Sequence, residues 1–156
     1  MKIGVLGDSH GIDGNIVAAM KKLQDAELIV FTGDHLSDIK KIENDFDGEV
    51  IAVRGNCDRN GDIEVIKIIK GRRFFICHGH KYGVKYSLDN LYYRAQEVNA
   101  DVAIFGHTHI PYYEEVNGIV MINPGSVTFP RGRSKKSCVM IKLDEKIKVE
   151  FILLST

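Results

Sequence analysis

Seven residues of types that bind metals stand in short polar runs: Asp8, His10, Asp34, Asn56, His78, His107 and His109. Each run follows an apolar stretch, so each reads as a loop at the end of a strand. Carboxylate and amide oxygens combined with imidazole nitrogens suit Mn²⁺, Fe²⁺ or Zn²⁺, and Mg²⁺ with more difficulty; the scarcity of thiols argues against a structural zinc site. Seven donors are too many for one ion that keeps an open position. Two ions sharing a carboxylate account for the number, and a pair about 3.5–4 Å apart is the arrangement that clamps the attacking and leaving oxygens of an in-line phosphoryl displacement.

The elements that must bring these residues together are legible as a pattern. Residues 2–6, 28–31 and 50–53 are apolar runs of strand length, each ending in a polar loop and separated by helical spacing over 15–23 and 38–46. Asn15 or Asp13 is expected to cap the first helix. Three successive βα units put the carboxyl ends of their strands on one edge of a sheet, so the loops carrying Asp8, Asp34 and Asn56 converge. Residues 63–70 and 73–77, about Gly71-Arg72, predict an antiparallel hairpin that ends in His78-Gly79-His80. A helix over 87–99, a strand over 102–105 and the loop Gly106-His107-Thr108-His109 follow. Strands over 112–116 and 119–122 turn at Asn117-Gly118, and a last hairpin turns near Asp144-Glu145-Lys146. One domain over 1–156 is expected, since no linker, repeat or low-complexity tract interrupts the chain.

Composition narrows the partners. Lys plus Arg and Asp plus Glu both number 21, so no excess charge draws the molecule onto a long nucleic acid or an acidic membrane, and an anionic substrate must be held locally. Cys57, Cys77 and Cys138 are odd in number and form no CxxC pair, which fits a reducing compartment. The first apolar run reaches Asp8 before a signal peptide could be completed, and no run spans a bilayer, so a cytoplasmic location is expected. A homodimer is compatible with the chain, although no patch for one can be identified.

The ordered runs Gly7-Asp8-Ser9-His10, Gly33-Asp34, Gly55-Asn56-Cys57-Asp58, His78-Gly79-His80 and Gly106-His107-Thr108-His109 resemble the calcineurin-like metallophosphoesterases. With Asn123-Pro124-Gly125-Ser126, they resemble the small prokaryotic phosphodiesterase group of that superfamily. The resemblance implies an α/β fold of two mixed β-sheets packed as a sandwich and flanked by helices, in four layers. It implies Asp8, His10 and His109 on a first ion, Asn56, His78 and His107 on a second, and Asp34 bridging them. The ions it implies are divalent, Mn²⁺ first, with Fe²⁺, Zn²⁺, Ni²⁺ or Mg²⁺ as alternatives. Hydroxide held between them would attack the phosphorus of a small phosphodiester. A phosphomonoesterase or nuclease using the same core is one alternative; another is a non-catalytic binding scaffold, since a eukaryotic retromer subunit resembles this fold.

Many members of the superfamily carry a histidine after the motif asparagine, where it is thought to protonate the leaving oxygen while the next aspartate orients it. Here Cys57 and Asp58 stand in those places. A thiol with a pKa of about 8.5 is a poor hydrogen-bonding acid beside imidazolium. General acid catalysis contributes about 10²–10⁴ in rate, so activated esters are favoured, or His80 or a water supplies the proton. The catalytic candidates are thus Asn56, Cys57, Asp58 and His80. His35 and His80 are read as neighbours of the ligands rather than ligands. Arg131, Arg133, Lys135 and Lys136 could steer a phosphate but read first as solvated charge, and Tyr82, Tyr86, Tyr92 and Tyr93 read as packing.

Overall fold

The computed structural model describes residues 1–154 and contains two five-stranded mixed sheets. In the first, β1 (Lys2–Leu6), β2 (Leu28–Phe31) and β3 (Glu49–Ala52) run parallel, and β9 (Ser137–Leu143) and β10 (Ile147–Leu153) extend the other edge of β1 antiparallel. The second sheet has the order β4 (Glu64–Ile69), β5 (Arg72–Cys77), β6 (Val102–Ile104), β8 (Ile119–Asn123) and β7 (Tyr112–Val116). Its strands β5, β6 and β8 are parallel and its two edge strands antiparallel.

Alternation along the strands explains the layering. Ile3, Val5, Leu28 and Val30 of the first sheet meet Phe74, Ile76, Val102 and Ile104 of the second in one buried cluster between the sheets. The opposite face, with Leu6, Ile29 and Phe31, is covered by Ile16, Ala19 and Leu23 of α1 (Asp13–Lys22) and Ile42 of α2 (Ile39–Asn44). Leu91 and Ala95 of α3 (Asp89–Glu97) cover Phe75, Ala103 and Met121 on the outer face of the second sheet. The order is therefore helix, sheet, sheet, helix. Strands buried on both faces need apolar residues at every position, as β2 has, and as β8 has up to its final Asn123.

Three local expectations are corrected. The first hairpin turns at Lys70-Gly71, one residue earlier than Gly71-Arg72, because Ile69 pairs with Arg72 and both turn residues take positive φ (49° and 79°). That register keeps Phe74 and Ile76 facing the core, where a slip of one residue would turn them out. Helix α1 starts at Asp13, its N-cap is Ile12, and no side chain caps it. Asn15 instead donates from Nδ2 to Thr128 Oγ1, 3.2 Å away. Helix α3 is shorter than expected and stops before Asn99, which takes φ 57° and closes the end as a left-handed residue.

Among the described residues no helix is long and apolar enough to cross a membrane, and all three cysteines are free.

Candidate metal centre

All the predicted donors collect at the carboxyl ends of β1, β2, β3, β5 and β6. Asp8, His10, Asp34 and His109 form one group whose ligand atoms lie within 4.8 Å of one another, and Asp34, His78 and His107 form a second. Asp34 is common to both. Asn56 joins the second group through Oδ1, which lies 3.1 Å from His78 Nε2.

Backbone carbonyls fix how two of the imidazoles point. His78 Nδ1 donates to Thr32 O at 2.8 Å and His109 Nδ1 donates to Phe129 O at 2.7 Å. A carbonyl only accepts, so in the neutral rings both Nε2 atoms carry lone pairs. Yet His109 Nε2 faces Asp8 Oδ1 at 3.3 Å and His10 Nε2 at 3.4 Å. His78 Nε2 faces Asp34 Oδ2 at 3.3 Å as well as the Asn56 oxygen. Asp8 Oδ1 is buried and has no hydrogen-bond partner. Lone pairs turned toward carboxylate oxygens need a positive charge between them, so the donors fit metal cations.

Without a metal the charge is carried by a proton. Burial opposes charge on His78, but the hydrogen bond to Asp34 and the charges of Asp8 and Asp34 outweigh it and lift its pKa above the ordinary histidine value. Burial likewise opposes ionisation of Asp34, and its bond to His78 more than compensates, holding it well below the usual carboxylate range. His107 is pushed down to about 4 by burial, by charged His78 and by Lys85, which leaves its ring neutral at pH 7 with a lone pair to give. Metal uptake by such a set displaces a proton.

The loops are braced from below. Asp58 accepts four backbone amides: Asp34 N (3.0 Å) and Gly55 N (2.9 Å) on Oδ2, and His35 N (2.9 Å) and Leu36 N (2.8 Å) on Oδ1. Its carboxylate thus shapes the Asp34 loop. Cys57 N donates to Asp34 Oδ1 (3.0 Å), and Asp8 Oδ2 accepts His107 N (3.2 Å). Ser126 Oγ donates to Asp8 O and accepts Thr128 N and Phe129 N. Asn123 Nδ2 donates to Gly106 O and Thr108 Oγ1.

Of the other candidates, Cys57 is exposed, and burial of the thiol with the charges of Asp34 and Asp58 pushes its pKa up. His80 lies with its ring 5.4 Å from that of His78 and its Nδ1 buried and unpartnered, and burial with charged His78 lowers its pKa. His35 Nδ1 sits 3.3 Å from Asp38 and belongs to neither donor group. Tyr82 packs edge-on to Phe75, and Tyr92 packs on the α3 layer. Tyr86 and Tyr93 are exposed (95% and 59%), contrary to the packing reading. Asp38 was not legible as a site residue: it is buried and accepts Ser9 Oγ (2.6 Å) and Gly11 N (3.0 Å), tying the Asp8 loop to the start of α2.

Gly55 leaves no room for a side chain. A Cβ there would lie 2.0 Å from Asp34 Oδ1 and 2.5 Å from Asp34 N. Gly55→Ala is therefore expected to displace the shared carboxylate and weaken metal affinity about 10–100-fold, as loss of a supporting contact does. Elemental analysis after equilibrium dialysis checks this; full metal content in a folded variant would contradict it.

The chain is similar to known proteins along its length. It is 35% identical to the probable metallophosphoesterase YsnB of Bacillus subtilis over 147 residues, which cover 92% of this chain and 85% of the relative. The solved structure of a novel archaeal phosphodiesterase superposes with a TM-score of 0.81 at 28% identity, covering 99% of this chain and 100% of that one. Zinc-bound Vps29 from Entamoeba histolytica, at 20% identity and a TM-score of 0.77 over 97% of this chain and 98% of its own, shares the fold. Residues 1–146 match the family model of the calcineurin-like phosphoesterase superfamily domain, and the chain belongs to that superfamily.

Proposed function

We propose that the protein is a metal-dependent phosphodiesterase that hydrolyses a small phosphodiester with two divalent cations, Mn²⁺ first among them. The observation that carries this reading is the sharing of Asp34 between two donor groups that otherwise use different residues. Held by Asp8, His10, Asp34 and His109 on one side and by Asp34, Asn56, His78 and His107 on the other, such a pair would supply a hydroxide nucleophile at neutral pH and neutralise charge on the phosphoryl oxygens. The chain's own part is geometric. Thr32 O and Phe129 O aim His78 and His109, and Asp58 holds the turn that presents Asp34. Cys57 keeps its proton and His80 is neutral at pH 7, so neither is a strong acid toward the leaving oxygen. Esters with good leaving groups are accordingly favoured. The diester preference is supported by the phosphodiesterase among the similar structures.

Protein stripped with a chelator and reloaded with Mn²⁺ is expected to regain hydrolysis of bis(4-nitrophenyl) phosphate, with kcat/KM at least about tenfold above that for 4-nitrophenyl phosphate. Failure of Mn²⁺, Fe²⁺, Zn²⁺, Ni²⁺ and Mg²⁺ alike to restore turnover on either ester would sink the catalytic reading. Equal rates on the two would sink the diester class.

A further inference from the structure

A cavity of about 400 Å³ opens beside the donor groups, within the size range of small-molecule sites. Thr108, between His107 and His109, forms part of its wall. The rest of the floor is apolar: Val84, Leu88, Phe105 and Ile110. Tyr112 completes it, its ring edge-on to Phe105 with centroids 6.0 Å apart and its hydroxyl turned away to Glu114. The only charged groups in the lining are two exposed cations, Lys85 and Arg131.

Residues that line this cavity are tied to the metal centre through the backbone. Arg131 N donates to His109 O at 3.1 Å, and the carbonyl of Phe129, two residues earlier, accepts His109 Nδ1. Ile110 follows His109 directly. A ligand whose phosphoryl group reaches His109 therefore has this cavity among its apolar neighbours, with the exposed ring of Phe129, 5.7 Å from that of His10, as the other.

We propose that the cavity takes an aromatic substituent of the ester, aryl or nucleobase, so that the substrate class is a phosphodiester carrying at least one flat ring. The proposal rests on the phosphodiesterase reading above. An apolar floor removes the ring from water, and the ring pair Phe105 and Tyr112 offers it an edge. Lys85 and Arg131 suit a π-face better than an aliphatic chain, and they add positive charge near the phosphate.

Calorimetry on the Mn²⁺-loaded protein with methyl-, phenyl- and cyclohexylphosphonate tests this apart from turnover. Phenylphosphonate is expected to bind at least about tenfold more tightly than methylphosphonate and more tightly than its saturated analogue of similar size. Leu88→Trp fills the cavity and is expected to bring phenylphosphonate down to the affinity of methylphosphonate, which gauges the metal centre of the same variant. Ile110→Ala, at a 44% exposed position that folding tolerates, is expected to shrink the phenyl advantage several-fold. No phenyl advantage in the parent, or one that survives Leu88→Trp, overturns the proposal. Equal binding of cyclohexylphosphonate overturns its aromatic part. If no phosphonate binds and no ester is hydrolysed, the phosphodiesterase reading itself falls.

Discussion

Asp34→Ala is expected to lower kcat/KM on an activated phosphodiester by at least about 10³ and to remove bound metal from both donor groups at once. Loss of a single preorganised charge-stabilising donor already costs about 10²–10³ in other hydrolases. Asp34 is a more severe case because both groups contain it. It also accepts Cys57 N and faces His78 Nε2 at 3.3 Å, so its loss at once loosens the Asn56 loop and removes a carboxylate partner of the His78 ring. His10→Ala makes the comparison: His10 belongs to one group only and is partly exposed, so metal should be lost there alone. The measurements are turnover under saturating Mn²⁺ and metal content after gel filtration. If Asp34→Ala retains one tightly held ion and loses less than about tenfold in rate, Asp34 is not the shared ligand.

Asp58→Ala is expected to destabilise the protein by about 3 kcal/mol, one of the larger effects available to a partly exposed side chain. Hydrogen bonds to a charged acceptor are worth about 1.5–3 kcal/mol each, but the four here share one carboxylate and one of them is exposed, so they do not add in full. For a domain of this length the loss corresponds to a fall of about 10 °C in Tm. Asp58→Asn keeps one acceptor oxygen and should recover roughly half of it. A melting temperature for Asp58→Ala within about 2 °C of the parent would show that the amides find water as easily as they find Asp58.

Asp58 also marks the border of what the sequence reveals. The strands were legible because β1, β2 and β6 are buried on both faces and so read as unbroken apolar runs, and the donors were legible because each follows such a run. Six of those donors fall into two overlapping groups that share Asp34. Asp58 itself was singled out as the orienter of a neighbouring proton donor, whereas its two oxygens are occupied by four backbone amides. Nothing local distinguishes those roles, since the amides of Asp34, His35 and Leu36 come from a loop more than twenty residues away. The carbonyls of Thr32 and Phe129 were invisible for a related reason: every residue carries a carbonyl, and only the fold selects two to aim the rings. Asn15 illustrates the same limit at α1, where a residue well suited to capping spends its amide on Thr128, 113 positions later. The cavity beside Thr108 draws its walls from several separate stretches of chain, and no single stretch announces it.

Five of the seven donors, Asp8, His10, Asp34, His107 and His109, sit at left-handed backbone positions, with φ between 49° and 72°. Each such non-glycine residue costs of order 1–3 kcal/mol, a cost glycine escapes. A lineage released from the need to hold metal would therefore find its easiest gains in robustness at these same places, by exchanging aspartate and histidine for glycine. Decay of the chemistry would leave a firmer molecule.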